Sequence, residues 1–338
     1  MIAFKPSRLW LLALCLLWLG ITLFPIYWTL VTAFKPPTAV NGGPTYIPWY
    51  DFQPTWQAFA DALSGDRGDF YGHFLHSTLI SLTATAIAVI LGSMAAYALV
   101  RFEFRVRLLA GLWFAAVAIG GYWVFNKTYG YSEVQALGLA FAAALAGALV
   151  VNLIPVGPRL GNHDIAFWFV SQRMMPPIVS AIALYLFYSR LGKEGLPALD
   201  TFWGLTFCYI AFALPFVVWL MRDFFQALPV EVEEAALVDD VPRLRIFWDI
   251  VLPMARPGLI ATFLITLSFI WNEFLFALIL TTGRWTTLPI LIAGQNSYRG
   301  DEWWAISVAV LVAIVPMMIL AAFLARLMRS GLALGSIK

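Results

Sequence analysis

Long stretches without Asp, Glu, Lys or Arg limit what this chain can fold into. Spanning the hydrocarbon core of a bilayer takes about 20 apolar residues in a helix. Because lipid offers no partner for backbone N–H and C=O groups, stretches of this length are expected to be helical. Eight stretches qualify, the last of them with only Glu273: residues 9–34, 74–100, 108–126, 134–158, 174–189, 201–221, 303–325 and 257–283. The sequence predicts an all-α polytopic membrane protein with about eight spans.

Composition agrees with a membrane environment. Hydrophobic residues make up 62% of the 338 residues and charged residues only 12%, against about 25% charged in soluble domains. The net charge of +2 and the lack of a basic run with interleaved aromatics exclude a nucleic-acid footprint. The first apolar stretch is longer than the apolar region of a signal peptide, so we expect a retained first span.

The distribution of Lys and Arg predicts the orientation, because cytoplasmic loops carry an excess of both. If the N-terminus is inside and the spans alternate, 14 of the 21 Lys and Arg residues, Arg173 among them, lie inside and 7 outside. We therefore expect a multi-pass protein of a bacterial-type inner membrane with both termini in the cytoplasm. Residues 35–73 then form a long external loop, and residues 229–256 are cytoplasmic.

Residues 229–256, here called the acidic segment, interrupt the apolar stretches. Pro229 can open a helix because its missing N–H costs nothing there. Three carboxylates then fall in the first turns, where they oppose the helix dipole favourably: Glu231, Glu233 and Glu234. Asp239 to Pro242 predict a break and a second helix, which Pro253 and Pro257 are expected to end. The alternative to a docking site is an amphipathic interfacial helix without a partner, although such helices usually carry basic polar faces.

The spacing within the acidic segment resembles a known motif. Glu234-Ala235-Ala236 is followed four positions later by Asp240, then by nine residues and by Ile250-Val251-Leu252-Pro253. This pattern resembles the cytoplasmic coupling loop, or EAA motif, of ABC importer permeases. Further segments resemble the carbohydrate branch of that family, typified by maltose permease subunits: Phe24 to Tyr27, Phe34 to Pro36, His76 to Leu79, Ala95 to Arg105, Trp271 to Phe274 and Gly331 to Gly335. The resemblance covers residues 9–107 and about 165–338.

The resemblance implies a type I importer for a carbohydrate or polyol. Two permease subunits, usually different chains, would form the pathway, two ATPase subunits would bind ATP and Mg²⁺, and an external solute-binding protein would deliver the sugar. The residues implied in coupling to the ATPase are Glu233, Glu234, Ala235, Ala236, Asp239, Asp240, Ile250, Leu252 and Pro253. In the loop 282–303, the residues implied to face the binding protein are Gln295, Asn296 and Tyr298; the alternative is a loop that contacts only solvent.

Two features depart from the family pattern. Asp240 stands where the family prefers Gly, and Asp is among the few other residues enriched at positive φ. Residues 108–164, here called the insertion, have no counterpart in the usual core of six spans. We expect the insertion to be a transmembrane hairpin outside the transport core. The chain then divides into residues 1–107 with two core spans, the insertion, and residues 165–338 with the remaining core spans, the acidic segment and the C-terminal tail.

Four consecutive residues offer chemistry for a sugar pathway: Trp271, Asn272, Glu273 and Phe274. Intramembrane carboxylates usually face a cavity or a partner. Glu273 is therefore expected either to line the pathway beside Asn272, or to bond to a neighbouring helix or lie at the level of the headgroups. No G-x-x-x-x-G-K-[ST] motif is present, so this chain is not expected to hydrolyse ATP. We assign no catalytic residue, no metal site and no cofactor of its own. Two rivals are a secondary transporter or channel for a small polar solute, and a membrane enzyme.

Overall fold

A computed structural model describes residues 6–63, 69–294 and 302–329. Its regular elements are almost entirely helical, with one short two-stranded sheet. They are α1 (Pro6–Ala33), α2 (Pro37–Asn41), α3 (Gln57–Leu63), α4 (Phe70–Arg101), β1 (Val106–Arg107), α5 (Leu108–Lys127), α6 (Glu133–Leu153), β2 (Arg159–Leu160), α7 (Asn162–Ser171), a 3₁₀ turn (Gln172–Met174), α8 (Pro177–Lys193), α9 (Phe202–Gln226), α10 (Glu231–Val238), α11 (Arg243–Ile246), a π-helical turn (Phe247–Val251), α12 (Leu252–Met254), α13 (Arg256–Trp271), α14 (Leu275–Leu280), α15 (Leu288–Gly294) and α16 (Trp303–Arg329).

Six helices in the described ranges are long and apolar enough to cross a membrane: α1, α4, α5, α6, α9 and α16. Two bent helix pairs raise the number to eight if each pair counts as one span. The pair of α7 with α8 bends by 88°, and the pair of residues 243–254 with α13 bends by 79°. The predicted all-α polytopic architecture is confirmed. The apolar stretch 257–283, however, is not one helix, because α13 ends at Trp271 and α14 begins at Leu275.

The chain divides into two compact units, Met1–His76 with Thr287–Ile319 and Ser77–Thr286 with Leu320–Lys338. In the first unit, small residues of α1 and α3 pack with Trp304, Ala305 and Val308 of α16. Lys35 is buried there, with its ammonium 4.4 Å from the centroid of the Trp28 ring and donating to the Thr45 carbonyl. The predicted external loop is therefore folded back on the end of α1.

In the second unit, α9 is the most buried of the spanning helices. Two glycines of neighbouring helices allow close approach to it. A Cβ on Gly92 of α4 would lie 2.5 Å from a Val217 methyl group, and one on Gly258 of α13 would lie 2.4 Å from the Phe224 ring. Small residues that bring backbones together are typical of helix packing in membranes, where lipid removes the hydrophobic drive for association.

Most of the insertion forms the helical hairpin of α5 and α6. The two helices pack closely because glycines leave room for side chains of the opposite helix. Gly121 of α5 lies against Ala140 of α6, and Gly147 of α6 lies against Trp113 of α5. At its base, β1 pairs antiparallel with β2, with Val106 opposite Leu160 and Arg107 opposite Arg159. Asn162 fixes this base to the end of α4, accepting from the Phe104 amide at 2.7 Å and donating to the Leu99 carbonyl at 2.7 Å.

The base of the insertion makes a clean deletion possible. Because Arg107 and Arg159 are paired across the ladder, residues 108–158 can be replaced by an Asn-Gly turn that matches a two-residue hairpin connection. We expect this variant to retain membrane insertion, assembly and at least about half of the transport rate, since the ties from Asn162 to α4 remain. Recovery in the membrane fraction measures insertion, co-purification of partners measures assembly, and uptake measures the transport rate. Loss of assembly would contradict a position outside the transport core.

Candidate functional site

The acidic segment folds as two helices joined by a left-handed turn. All three predicted carboxylates lie in the first turn of α10. Asp240 has φ of +56°, which is the conformation expected for a residue in place of glycine. The Val241 amide donates to the Ala236 carbonyl and the Asp240 amide to the Leu237 carbonyl, both at 3.1 Å. This is the Schellman pattern, in which a residue at positive φ ends a helix and satisfies its last carbonyls.

Glu233 was grouped with the docking residues, but unlike its acidic neighbours it does not face outward. Its carboxylate is buried, accepting from Arg101 Nε at 2.7 Å and from Tyr97 Oη at 2.8 Å. Arg101 Nη2 also donates to the Leu228 carbonyl at 3.1 Å. Because a buried carboxylate requires hydrogen-bond and charge partners, these contacts fix α10 to the last turns of α4.

The second helix of the acidic segment is fixed to the same place by aromatic packing. Tyr97, Phe225 and Phe247, here called the Tyr97 cluster, are all buried, with the Tyr97 ring 5.1 Å from Phe247 and 5.8 Å from Phe225. The Arg243 guanidinium lies 5.1 Å from the centroid of the Phe102 ring, just beyond α4. Both helices of the acidic segment therefore attach to the end of α4, one by an ion pair and one by ring contacts.

Pro253 does not end the second helix. It lies within α12, after the π-helical turn of residues 247–251, and the chain bends only at Ala255 before α13 begins at Arg256. π-Turns inside α-helices occur frequently at functional sites. Residues 243–254 therefore form one continuous helical segment that is bent by 79° relative to α13. Its buried face carries Ile246, Phe247 and Val251.

The implied coupling residues divide by exposure. Glu234, Ala235, Asp239, Asp240 and Pro253 are exposed, Ile250 and Leu252 are half-buried, and Ala236 is buried with Glu233. Ala236 was implied in coupling to the ATPase, but its methyl group packs within its own chain. The outward-facing surface is consequently centred on Glu234, Ala235 and the turn at Asp239 and Asp240.

The turn conformation gives a prediction for Asp240. We expect Asp240→Gly to keep full function and to stabilise the turn by a few tenths to about 1 kcal/mol, because Gly reaches positive φ without a Cβ penalty. Asp240→Val should lower the recovery of assembled complex severalfold, because β-branched residues are outliers at positive φ. Thermal unfolding and complex yield measure both effects. Equal behaviour of the two variants would mean that the turn conformation is unimportant.

The four pathway candidates do not share one environment. Trp271 is buried, whereas Asn272 and Phe274 are exposed. Glu273 accepts from the Phe276 amide at 3.0 Å and the Ala277 amide at 3.3 Å, so its carboxylate caps the first turn of α14. Of the two roles left open for Glu273, these contacts favour the structural one, since a carboxylate near a helix N-terminus satisfies unpaired amides.

An aspartate missed in the sequence holds the loop that follows α14. Asp200 has φ of +53° and accepts from the amides of Arg284 and Trp285, both at 2.9 Å. These bonds, with one from the Thr282 hydroxyl, outweigh burial and hold the pKa of Asp200 below its ordinary value. Gln295, Asn296 and Tyr298 lie outside the described residues. Within the described ranges, no group of three His, Cys, Asp or Glu residues could hold a metal ion.

Residues 163–332 match the family described as "Binding-protein-dependent transport system inner membrane component". The chain belongs to this family. The matched range contains the acidic segment, the four pathway candidates and, except for Asn162, both bent helix pairs, and begins after the hairpin of the insertion. The predicted membership is therefore confirmed, and the chain is a multi-pass permease component of an inner membrane.

Curated relatives of this permease extend over nearly its whole length. The trehalose/maltose transport system permease protein of Thermococcus litoralis is 27% identical over 321 residues, covering 94% of this chain and 92% of the relative. The diacetylchitobiose uptake system permease protein of Streptomyces coelicolor is 28% identical over 311 residues, covering 91% of this chain and 81% of the relative.

A solved structure has the same fold. It is the crystal structure of a bacterial ABC transporter involved in the import of the acidic polysaccharide alginate, and one of its chains is 16% identical. The match has a TM-score of 0.60 and covers 96% of this permease and 99% of that chain. At this identity the match supports the fold of the permease alone.

Proposed function

We propose that this permease is a transmembrane subunit of an ATP-driven importer for a carbohydrate or polyol. It works with two ATPase subunits, a second permease, which is a different chain, and an external solute-binding protein. ATP and Mg²⁺ are bound by the ATPase partners, and both termini of this chain are cytoplasmic. The names of the relatives, which include trehalose/maltose and diacetylchitobiose permeases, support the substrate class.

The observation that carries the proposal is the attachment of the acidic segment to α4. Glu234, Ala235 and Asp239 face outward, while Glu233 and Phe247 hold the same two helices to Arg101 and Tyr97. A partner that displaces the outward face therefore displaces the end of α4 with it. Because α4 is a single helix of 32 residues, that displacement reaches its spanning part and converts one access state into the other.

The rival proposal is a secondary transporter, which requires different functional groups in the chain. The bent helix pairs do not by themselves distinguish an ATP-driven importer from a secondary transporter. Ion coupling also requires groups that bind the ion, such as acidic residues in the membrane, and Glu273, the acidic residue of the apolar stretch 257–283, is engaged as a helix cap. A secondary transporter would also leave the exposed carboxylates of α10 without a role.

Reconstitution distinguishes the two. Vesicles should contain this permease with its second permease and ATPase, with the binding protein outside and ATP inside. We expect uptake of maltose, trehalose or diacetylchitobiose that stops when ATP is omitted. Uptake that persists without the ATPase and follows an ion gradient would overturn the importer in favour of the rival.

A further inference from the structure

Arg173 occupies an unusual position for a charged side chain. Its guanidinium carbon lies 5.1 Å from the centroid of the Phe212 ring, 4.9 Å from Phe216 and 6.0 Å from Phe269. These four residues, here called the Arg173 cluster, come from three separate elements: the 3₁₀ turn after α7, α9 and α13. The distribution of Lys and Arg predicted a cytoplasmic Arg173, whereas the structure places its side chain against rings of two spanning segments.

The depth of the cluster follows from α9. Phe212 and Phe216 each lie at least ten residues from either end of that spanning helix, which is about 15 Å at 1.5 Å per residue. The guanidinium thus lies beside the apolar part of a spanning helix, and that part ends at Arg222, six residues after Phe216. A charged side chain at this depth is costly, and such residues almost always face a bundle interior or a water-filled cavity.

Arg173 has no counter-charge within the described residues. The described ion pairs involve other arginines, and the contacts of Arg173 are the three rings. Cation–π attraction compensates part of the desolvation of a guanidinium and leaves its in-plane N–H donors available. Arg173 and Phe269 are exposed and the other two rings are half-buried, so the cluster opens on the surface of this unit.

The backbone beside Arg173 also indicates that this surface does not face lipid. The chain bends by 88° between α7 and α8, and Met175 and Pro176 are non-helical and exposed. Non-helical backbone at membrane depth is tolerated only where protein buries it or where it lines a water-filled cavity. In transporters, discontinuous helices near the bilayer midplane form the substrate sites. Lipid is therefore excluded as the neighbour of this surface.

We propose that the Arg173 cluster is a sugar-binding site in the transport pathway. A pyranose ring stacks on Phe216 or Phe269, and the planar guanidinium donates two hydrogen bonds to a pair of adjacent sugar oxygens, either hydroxyl or carboxylate. Guanidinium groups suit such bidentate recognition, and aromatic rings supply large rigid contact area. The site deepens the proposed importer function and rests on it, and it adds residues distinct from Trp271 to Phe274.

The test measures the concentration dependence of ATP-driven uptake in vesicles with maltose, trehalose, diacetylchitobiose and an alginate disaccharide as probes. For the sugar that wild type transports, we expect Arg173→Gln to raise KM by about tenfold or more, the loss expected for hydrogen bonds from a charged donor. Arg173→Lys should recover only part of the affinity, because it keeps the charge and loses the planar fork. Phe216→Leu should raise KM severalfold. A larger effect of Arg173→Gln on the alginate disaccharide than on neutral sugars identifies a carboxylate acceptor.

The control is Arg159→Gln, which removes an exposed guanidinium from β2 and should leave KM unchanged. Co-purification of the second permease and ATPase is recorded for every variant. If wild type transports a sugar with ATP and both Arg173 variants keep its KM, the sugar site is overturned while the importer stands. If the variants lose the second permease, Arg173 instead pairs with a carboxylate of that subunit, which also overturns the site. If wild type shows no ATP-driven uptake of any probe, the importer proposal fails together with this one.

Discussion

Glu234→Lys should abolish ATP-driven uptake while the protein still inserts into the membrane and folds. Glu234 is exposed on α10, beside Ala235 and one turn before Asp239, and makes no ion pair within the described ranges. Reversing its charge introduces like-charge repulsion where a partner's basic groups are expected. Disrupting a buried charge pair at an interface weakens binding on the order of 100-fold. Recovery of the ATPase with the tagged permease measures the loss directly.

Glu103→Lys is the matched control for that charge reversal. Glu103 is exposed, lies just beyond the end of α4 and, among the residues that the structure describes, pairs only with Arg105 at 3.0 Å. The control should keep ATPase recovery and uptake near wild type, since exposed ion pairs contribute less than about 1 kcal/mol. Normal ATPase recovery and normal uptake by the Glu234 variant would contradict docking through α10.

Arg101→Ala should detach the acidic segment from α4 without removing any outward-facing docking group. Arg101 and Glu233 have side-chain exposures of 10% and 9%. Breaking a buried pair leaves the remaining charge uncompensated and costs about 3–5 kcal/mol. We expect a lower thermal unfolding midpoint and an ATPase that still binds but hydrolyses ATP without driving uptake. The measurements are the unfolding midpoint and the ratio of ATP hydrolysed to sugar transported.

A double variant separates stability from coupling. Arg101→Met with Glu233→Leu removes both charges, and replacing both members of a buried pair by apolar residues is often neutral for stability. The double variant should therefore recover most of the unfolding midpoint. The exposed pair Arg105–Glu103 provides the comparison, and Arg105→Ala should have little effect. An unchanged midpoint for Arg101→Ala would show that the buried pair does not hold the segment.

The architecture could be predicted from the sequence because lipid leaves few alternatives for long apolar stretches. Six of the eight predicted stretches correspond to the six spanning helices, and the other two contain most of α8 and of α13, the second helices of the two bent pairs. The break at Asn272 to Phe274 was missed because an apolar stretch has the same composition whether or not the helix continues. Pro176 and Pro177 indicate the 88° bend before α8. The bend was not predicted because both prolines lie within a continuous apolar stretch.

The outward and inward residues of the acidic segment could not be separated by spacing alone. Glu233 and Glu234 are adjacent and chemically equivalent in sequence, and only the position of Arg101, more than 130 residues earlier, turns one of them inward. In the sequence, Tyr97 and Arg101 belong to a segment that resembles the family pattern, and nothing there indicates that they contact Glu233. The positive φ of Asp240 was predictable because few residues other than Gly occupy that region, and Asp is one of them.

Site-specific cross-linking tests the central claim, that the outward face of α10 docks the ATPase. Cysteine is placed at Glu234 in a chain whose two natural cysteines, Cys15 and Cys208, are replaced, with Tyr129→Cys in the exposed turn between α5 and α6 as the control. In the assembled importer, a short bifunctional reagent should join position 234 to the ATPase and leave position 129 unlinked to it. An intact complex in which position 234 forms no cross-link to the ATPase would contradict the account.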